Sequence, residues 1–321
     1  MTTTEDSSLG KAAAHNILVI KLGALGDIIQ AEGALRDIRD HHPDAHITIL
    51  TAPPYRTLME RCPWVDTVMI DPRAPRFRID LLWSLRKQLT EAAFDMVYDL
   101  QNNRRTAMYF RWMRVPWSGR ASGYVHPVKK GRGSSISALE VIAGQLRSAA
   151  VDVRHTLDPD ASWMASDVSE LLRRAHLEPG FILLIPGSSA RHPHKRWPHY
   201  AALAERLISA GRRVVTAPGP DELALCRSIP ADMLLDNGRP LDFFQLAGLS
   251  RHAAYVIGND TGPTHVAAFA GAKGLAIFGP HTHAAATHID RRFKVIETEN
   301  LEHLSVDEVY AAYSAAQPTS A

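Results

Sequence analysis

From about residue 16 to residue 296 the chain alternates short apolar, β-branched runs with segments whose apolar residues recur every three or four positions. That alternation leaves few architectures open. The run Ile17-Leu18-Val19-Ile20 meets Lys21-Leu22-Gly23-Ala24-Leu25-Gly26-Asp27, after which Ile28, Ala31, Leu35 and Ile38 take up helical spacing. The period thus switches from strand to helix across two glycines. Strands are expected over 46–50, 67–70 and 95–100, with helices between them, and strands that alternate with helices form parallel sheets through right-handed crossovers. The stretch 151–161, holding Asp152, His155, Asp158, Pro159 and Asp160, has no apolar period and reads as a linker. Beyond it the alternation restarts, with strands over 181–185, 213–216, 233–236, 254–258, 274–278 and 293–296 and a last helix over 306–315. The expected fold class is α/β, with two Rossmann-like halves at 1–155 and 156–303.

A chain of 321 residues suits two domains of ordinary size. Its 45% hydrophobic and 22% charged content and formal charge of +2 are those of a globular protein without polyelectrolyte character. The only two cysteines, Cys62 and Cys226, are too few to staple the fold or close a zinc site, which fits a reducing compartment. Residues 1–14 contain no apolar h-region, and no window approaches a membrane span, so a cytoplasmic protein is expected. Charge is segregated: no carboxylate lies between Asp99 and Glu140, yet Arg104, Arg105, Arg111, Arg114, Arg120, Lys129, Lys130 and Arg132 fall there, interleaved with Tyr109, Phe110, Trp112, Trp117 and Tyr124.

Several strand ends carry polar or glycine-rich chemistry. Asp27 stands where a ligand crevice opens in a parallel sheet, although an aspartate there can equally cap the helix. Pro186-Gly187-Ser188-Ser189, followed by Lys195-Arg196-Trp197-Pro198, offers hydroxyls, N–H groups and a lysine to an anion, or is an ordinary serine-rich loop. Asp221 and Glu222 stand where a ribose is held in dinucleotide folds, or cap the next helix. The most specific stretch is Gly258-Asn259-Asp260-Thr261-Gly262-Pro263-Thr264-His265, a strand end that opens an Ala-rich helix toward the crevice. Neither a P-loop nor a complete G-x-G-x-x-G is present. The histidine pairs His192/His194 and His281/His283 lack companion ligands, so no metal and no cofactor is expected.

In order and spacing, Lys21 to Asp27, Tyr98-Asp99-Leu100-Gln101, Pro186 to Ser189, Lys195 to Pro198 and Asp260-Thr261-Gly262 with His265 resemble glycosyltransferase family 9, the ADP-heptose:lipopolysaccharide heptosyltransferases. The resemblance runs over nearly the whole chain. It implies a GT-B architecture of two Rossmann-like domains facing a central cleft, the first for the acceptor and the second for the nucleotide sugar, with the final helix at about 304–316 packed back on the first. It further implies an inverting transferase with Asp27 as general base and with Lys195, Ser188 and Ser189 on the donor diphosphate. Glu222 would then hold the ribose, and Asp260, Thr261, Gly262 and His265 would complete the donor site. Two departures stand out: Gln30-Ala31-Glu32-Gly33 replaces a His-Thr-Leu-Pro-like segment, and serines stand where others carry threonines.

An inverting transfer needs a base for the acceptor hydroxyl and cationic or N–H groups for the departing diphosphate. Asp27 supplies the first, and Lys195 with Ser188, Ser189, Thr261 and Gly262 supplies the second. The acid-free stretch then suits an anionic glycolipid acceptor at the inner membrane face, met through Arg104, Arg105, Arg120, Lys129 and Lys130, with its interleaved Tyr and Trp residues at the membrane interface. The expected partners are a nucleotide-sugar donor, ADP-heptose favoured, that glycolipid and a peripheral contact with the inner membrane. A nucleotide-sugar epimerase and a non-catalytic nucleotide-sugar-binding protein are the alternatives. A nucleic-acid surface is not expected, since no nucleic-acid motif accompanies the cations.

Overall fold

The computed structural model describes residues 14–75, 77–124 and 137–317. In chain order the first half contains β1 (Asn16–Ile20), α1 (Leu25–Gln30), α2 (Glu32–His41), β2 (His46–Thr51), α3 (Arg56–Glu60), β3 (Thr67–Ile70), α4 (Ile79–Glu91), β4 (Met96–Asp99), α5 (Arg104–Met113), β5 (Trp117–Ser118) and α6 (Ala138–Ser148). The second half follows with α7 (Ser169–Arg174), β6 (Ile182–Ile185), α8 (Tyr200–Ser209), β7 (Val214–Thr216), α9 (Leu223–Arg227) and β8 (Asp232–Met233). It ends with α10 (Phe243–His252), β9 (Tyr255–Asn259), α11 (Gly262–Phe269), β10 (Gly274–Phe278), β11 (Lys294–Glu297) and α12 (Val306–Ser314).

Two wholly parallel sheets result, ordered β3-β2-β1-β4-β5 and β11-β10-β9-β6-β7-β8. Each reverses its strand order at one place, between β1 and β4 in the first and between β6 and β9 in the second. At such a switch point the loops leave in opposite directions and open a crevice at the carboxyl edge. Register fixes what lies there, since Ile20 pairs with Asp99 and Ile185 with Gly258. The loops Lys21–Asp27 and Leu100–Asn103 therefore flank one crevice, and Pro186–Ser189 and Asp260–His265 flank the other.

The strands of the centre are buried on both faces, as the near-continuous apolar runs of β1, β6 and β10 require. One apolar core crosses from half to half, joining Leu25 and Ile28 of α1 to Val266 and Phe269 of α11. Burying a side chain of that size contributes about 1.5–3 kcal/mol, so the two halves are held together by packing as well as by the linker.

Three expectations are corrected. The single helix read through Ile28 to Ile38 is two, α1 and α2, divided at Ala31. The final helix packs on the second sheet rather than back on the first domain: Val309 and Tyr313 sit in a core with Trp197, Leu203 and Tyr255, and the Trp197 indole N–H donates to the Leu304 carbonyl at 2.9 Å. Tyr109 and Trp117 of the basic stretch serve the core and not a membrane interface, because α5 turns Tyr109 inward and β5, a strand too short to read from sequence, buries Trp117, with Phe110 and Trp112 packed partly buried against them. No helix among the described residues is long and apolar enough to cross a membrane.

The segment 151–161 is irregular, as expected, yet tightly held. Asp37 of α2 accepts from the backbone N–H groups of Arg154, His155 and Thr156 and from the Thr156 hydroxyl, at 2.6–3.0 Å. Glu32 accepts from Asp160 N–H at 2.9 Å and from the Trp64 indole at 2.7 Å. At Gly33 a Cβ would lie 2.2 Å from the His155 carbonyl oxygen, so glycine is needed for the close approach. The departure Gln30-Ala31-Glu32-Gly33 is thus committed, at Glu32 and Gly33, to the linker.

Candidate active site

The first crevice is built on Gly23, whose positive φ of 120° and 2.6 Å approach of a notional Cβ to the Tyr55 ring admit only glycine without strain. Lys21 is buried; its ammonium donates to the Leu100 carbonyl at 3.3 Å, and burial lowers its pKa against the pull of Asp27 and Asp99. Leu22 N–H donates to the Gln101 side-chain oxygen at 2.8 Å, which binds the β1 and β4 loops together. Asp27 is exposed and does cap its helix, accepting from Ala24 N–H at 3.1 Å through Oδ2. Its other oxygen has no protein partner among the described residues.

Asp99 is fully buried, and burial raises its pKa. One of its oxygens accepts from Gln101 and Asn102 N–H groups at 3.1 and 2.9 Å, while Oδ2 has no partner among the described residues. Its work is to shape the loop.

The second crevice centres on Asp260. Lys195 Nζ donates to Asp260 Oδ2 at 2.6 Å and to its carbonyl at 3.2 Å, while His265 Nε2 lies 3.2 Å from Oδ1. Burial pushes the Asp260 carboxyl up, but the bonds from His265 and Lys195 outweigh it and hold the pKa at about 2. Asp260 is therefore an anion at neutral pH, Nε2 of His265 carries the proton it donates, and Nδ1 is buried without a partner among the described residues. Thr261 stands at the N-cap position of α11 without a side-chain capping bond, while Lys195 and Asp260 line a small cavity with His194, Gly279, His281 and Thr282. The start of α11 favours an anion there, and the Lys195 ammonium, its charge met by Asp260 and two of its three N–H groups bound to that residue, keeps one N–H to offer.

The two crevices meet. A Cβ on Gly262 would lie 2.8 Å from the Leu25 side chain, and one on Gly26 3.2 Å from His265 Cδ2. The N-termini of α1 and α11 are thereby set against each other, and Asp27 follows directly on the residue that touches His265.

Among the other expected site residues, Glu222 accepts from Gly219 N–H at 2.8 Å and lies flat over Gly187, where any Cβ would displace it. Burial raises its pKa. Ser188 is buried and already engaged, its hydroxyl donating to the His192 carbonyl at 2.9 Å and accepting from Arg196 Nε at 3.0 Å, whereas Ser189 is exposed. Arg104 and Arg120 are exposed. Arg105 turns inward to a bidentate pair with buried Asp71 at 2.6 and 2.7 Å, a carboxylate that also accepts from Tyr109. Its countercharge comes from the β3–α4 loop and is invisible in the local sequence. Lys129 and Lys130 lie outside the described residues.

Sequence reasoning assigned no role to Asn259 or Arg196. Asn259 is fully buried and makes four bonds, donating to the Pro186 and Gly187 carbonyls and accepting from Trp197 N–H and the Tyr200 hydroxyl. It joins the β6 and β9 loops into one unit. The Asp37, Asp40 and His155 side chains form a group close enough to share a cation, but Asp37 is occupied by its four linker donors.

Two parallel-sheet α/β domains, each turning its switch-point crevice toward the other, define a protein of the GT-B fold. The family model described as glycosyltransferase family 9 (heptosyltransferase) matches residues 82–309, and the chain belongs to that family. It is similar to lipopolysaccharide heptosyltransferase 2 of Escherichia coli K12, 24% identical over 315 residues with 87% of each chain covered. Solved structures that resemble it include the glycosyl transferase family 9 protein of Veillonella parvula, with TM-score 0.77 at 20% identity over 94% of this chain and 96% of that one. E. coli heptosyltransferase WaaC with ADP-2-deoxy-2-fluoro heptose aligns with TM-score 0.72 at 16% identity over 94% and 100%.

Proposed function

We propose that the protein transfers a heptose from ADP-heptose, with inversion, to an anionic glycolipid of the lipopolysaccharide inner-core type. The observation that carries the proposal is the meeting of α1 and α11, which sets Gly26, the residue before the exposed Asp27, against His265, whose partner Asp260 holds Lys195 at a small cavity of the other domain. The WaaC structures hold ADP and an ADP-heptose analogue, and the curated relatives are heptosyltransferases, which supports that donor.

In this mechanism the acceptor hydroxyl attacks the anomeric carbon as the bond to the diphosphate breaks. Asp27 takes the hydroxyl proton. Lys195, oriented by Asp260, and the N–H groups at the start of α11 gather the charge of the departing ADP, so that no divalent ion is required. Glu222 accepts from the ribose hydroxyls. Ser188 acts through the loop it holds, and Ser189 faces the diphosphate. Arg104 and Arg120, with Lys129 and Lys130, draw the anionic acceptor, and the enzyme works at the inner face of the cytoplasmic membrane.

The test is a thermal-shift panel of ADP, GDP, UDP and CDP, since a ligand that binds only the native state raises its apparent stability. ADP is expected to give the largest shift. A shift with UDP or CDP and none with ADP would overturn the donor assignment.

A further inference from the structure

Among the described residues four large apolar side chains are exposed, and three of them fall within seven positions: Phe77, Ile79 and Trp83, at 79%, 69% and 65%. The fourth, Ile208, stands alone on another helix, which is ordinary for a folded surface. A cluster is not ordinary. In α4, Leu85 and Leu89 point to the core while Ile79 and Trp83, one turn apart, occupy the opposite face and continue into Arg86 and Lys87. Arg73, Arg78, Arg86 and Lys87 are exposed around the apolar group, and the only carboxylate from Pro72 to Thr90 is Asp80, which pairs with Arg78 at 2.7 Å.

The cluster has a firm mount. Asp71 is wholly buried, accepts from Arg105, Tyr109 and Arg73 N–H, and fixes the root of the β3–α4 loop, while Arg105 also donates to the Ala74 carbonyl at 3.0 Å. Because β3, β2 and β1 are parallel and in register, this loop leaves the sheet at the same edge as the Asp27 loop. Apolar and aromatic groups ringed by cations, at the rim of the acceptor crevice, are complementary to one surface in particular, an anionic bilayer: the rings bury below the headgroups and the arginines meet lipid phosphate.

We infer that Phe77, Ile79 and Trp83 are the element by which the enzyme seats on an anionic lipid membrane. This rests on the reading that the acceptor is a glycolipid, and it assigns the membrane contact to the start of α4 and not to the aromatics of α5 and β5. The docked protein holds the acceptor crevice at headgroup level.

The experiment is flotation of the full chain with vesicles of phosphatidylcholine alone or mixed with phosphatidylglycerol, comparing wild type with the Phe77→Ser/Ile79→Ser/Trp83→Ser variant and with Arg73→Gln/Arg86→Gln/Lys87→Gln. Wild type is expected to float with the mixed vesicles, the apolar variant to lose at least about tenfold in partitioning, and the charge variant to lose the preference for the anionic lipid. Trp emission should shift to the blue on docking, and Trp83→Phe should lack most of that shift. ADP-induced thermal shift and transfer to a deacylated acceptor should be unchanged in the apolar variant, which shows it folded and active. Equal flotation of wild type and the apolar variant would overturn the inference, as would wild type that ignores both vesicles. A wild-type dimer that the apolar variant converts to monomer would make the patch a self-association surface and likewise overturn it. If vesicle binding behaves as expected while ADP gives no thermal shift, the donor reading falls and the membrane contact stands.

Discussion

Asp27 is a helix cap in the structure and the general base of the proposed function. It caps α1 through one oxygen, and the other has no protein partner among the described residues. Asparagine can still accept from Ala24 N–H but cannot take a proton, so Asp27→Asn is expected to keep fold and donor affinity and to lose roughly 10² to 10⁴ in turnover. Turnover near wild type at saturating substrate would leave Asp27 as a cap only. Lys195 is held by Asp260 in one orientation, and Lys195→Ala is expected to weaken ADP binding and to slow transfer by about 10² or more. It also leaves Asp260 a buried anion with only His265 beside it, so its Tm should fall too, whereas Lys195→Arg should restore stability more than activity. Transfer should persist in excess chelator; loss on chelation, reversed by a divalent ion, would contradict the role given to the lysine. The residue types at strand ends were legible because a parallel sheet delivers them to one edge. The pairing of Lys195 with Asp260, 65 positions apart, and the four bonds of Asn259 were not, since nothing local in sequence marks a long-range hydrogen bond.

At the level of elements the central strands were read almost whole, because fully buried parallel strands leave unbroken apolar runs, whereas the strand expected over 233–236 is only the two-residue edge strand β8 at Asp232–Met233. The two-residue β5 gave no such run, and the boundary between α1 and α2 fell within one continuous helical period. The linker was legible as a break in pattern, but not as a clamped strap, for its holders Glu32 and Asp37 belong to α2. Glu32 carries a consequence. Burial raises its carboxyl from 4.5 to about 7, ahead of the bonds from Asp160 and Trp64 that pull it down. The folded state binds this proton more tightly than the unfolded one, so the stability from this group is fully present below about pH 4.5 and is lost as pH rises through about 7. The loss amounts to roughly 3 kcal/mol. Glu32→Gln is neutral throughout, and its denaturation midpoint relative to wild type should therefore rise between about pH 5 and pH 8. Parallel pH curves for the two proteins would show that Glu32 does not titrate in that range.

Over the whole molecule, charge segregation seen in sequence divides into two populations once the chain folds. Arg105 is structural: its guanidinium neutralises a carboxylate with no exposure, and a buried pair broken on one side leaves an uncompensated charge. Arg105→Ala is accordingly expected to cost about 3 kcal/mol or more of stability and to loosen the β3–α4 loop, with little dependence on salt. Arg104 and Arg120 are exposed, and replacing both by glutamine should leave the denaturation midpoint within about 0.5 kcal/mol of wild type. In the proposed function their field acts on the acceptor instead. The double variant is expected to raise the acceptor's KM without changing donor affinity, and the difference from wild type should shrink as salt shortens the Debye length from about 10 Å at 0.1 M to about 3 Å at 1 M. The two outcomes are separable in one set of measurements, equilibrium unfolding and acceptor kinetics at low and high salt. A double variant that lost donor affinity while acceptor KM stayed put would move the exposed cations to the nucleotide side and reverse the roles proposed for the two domains.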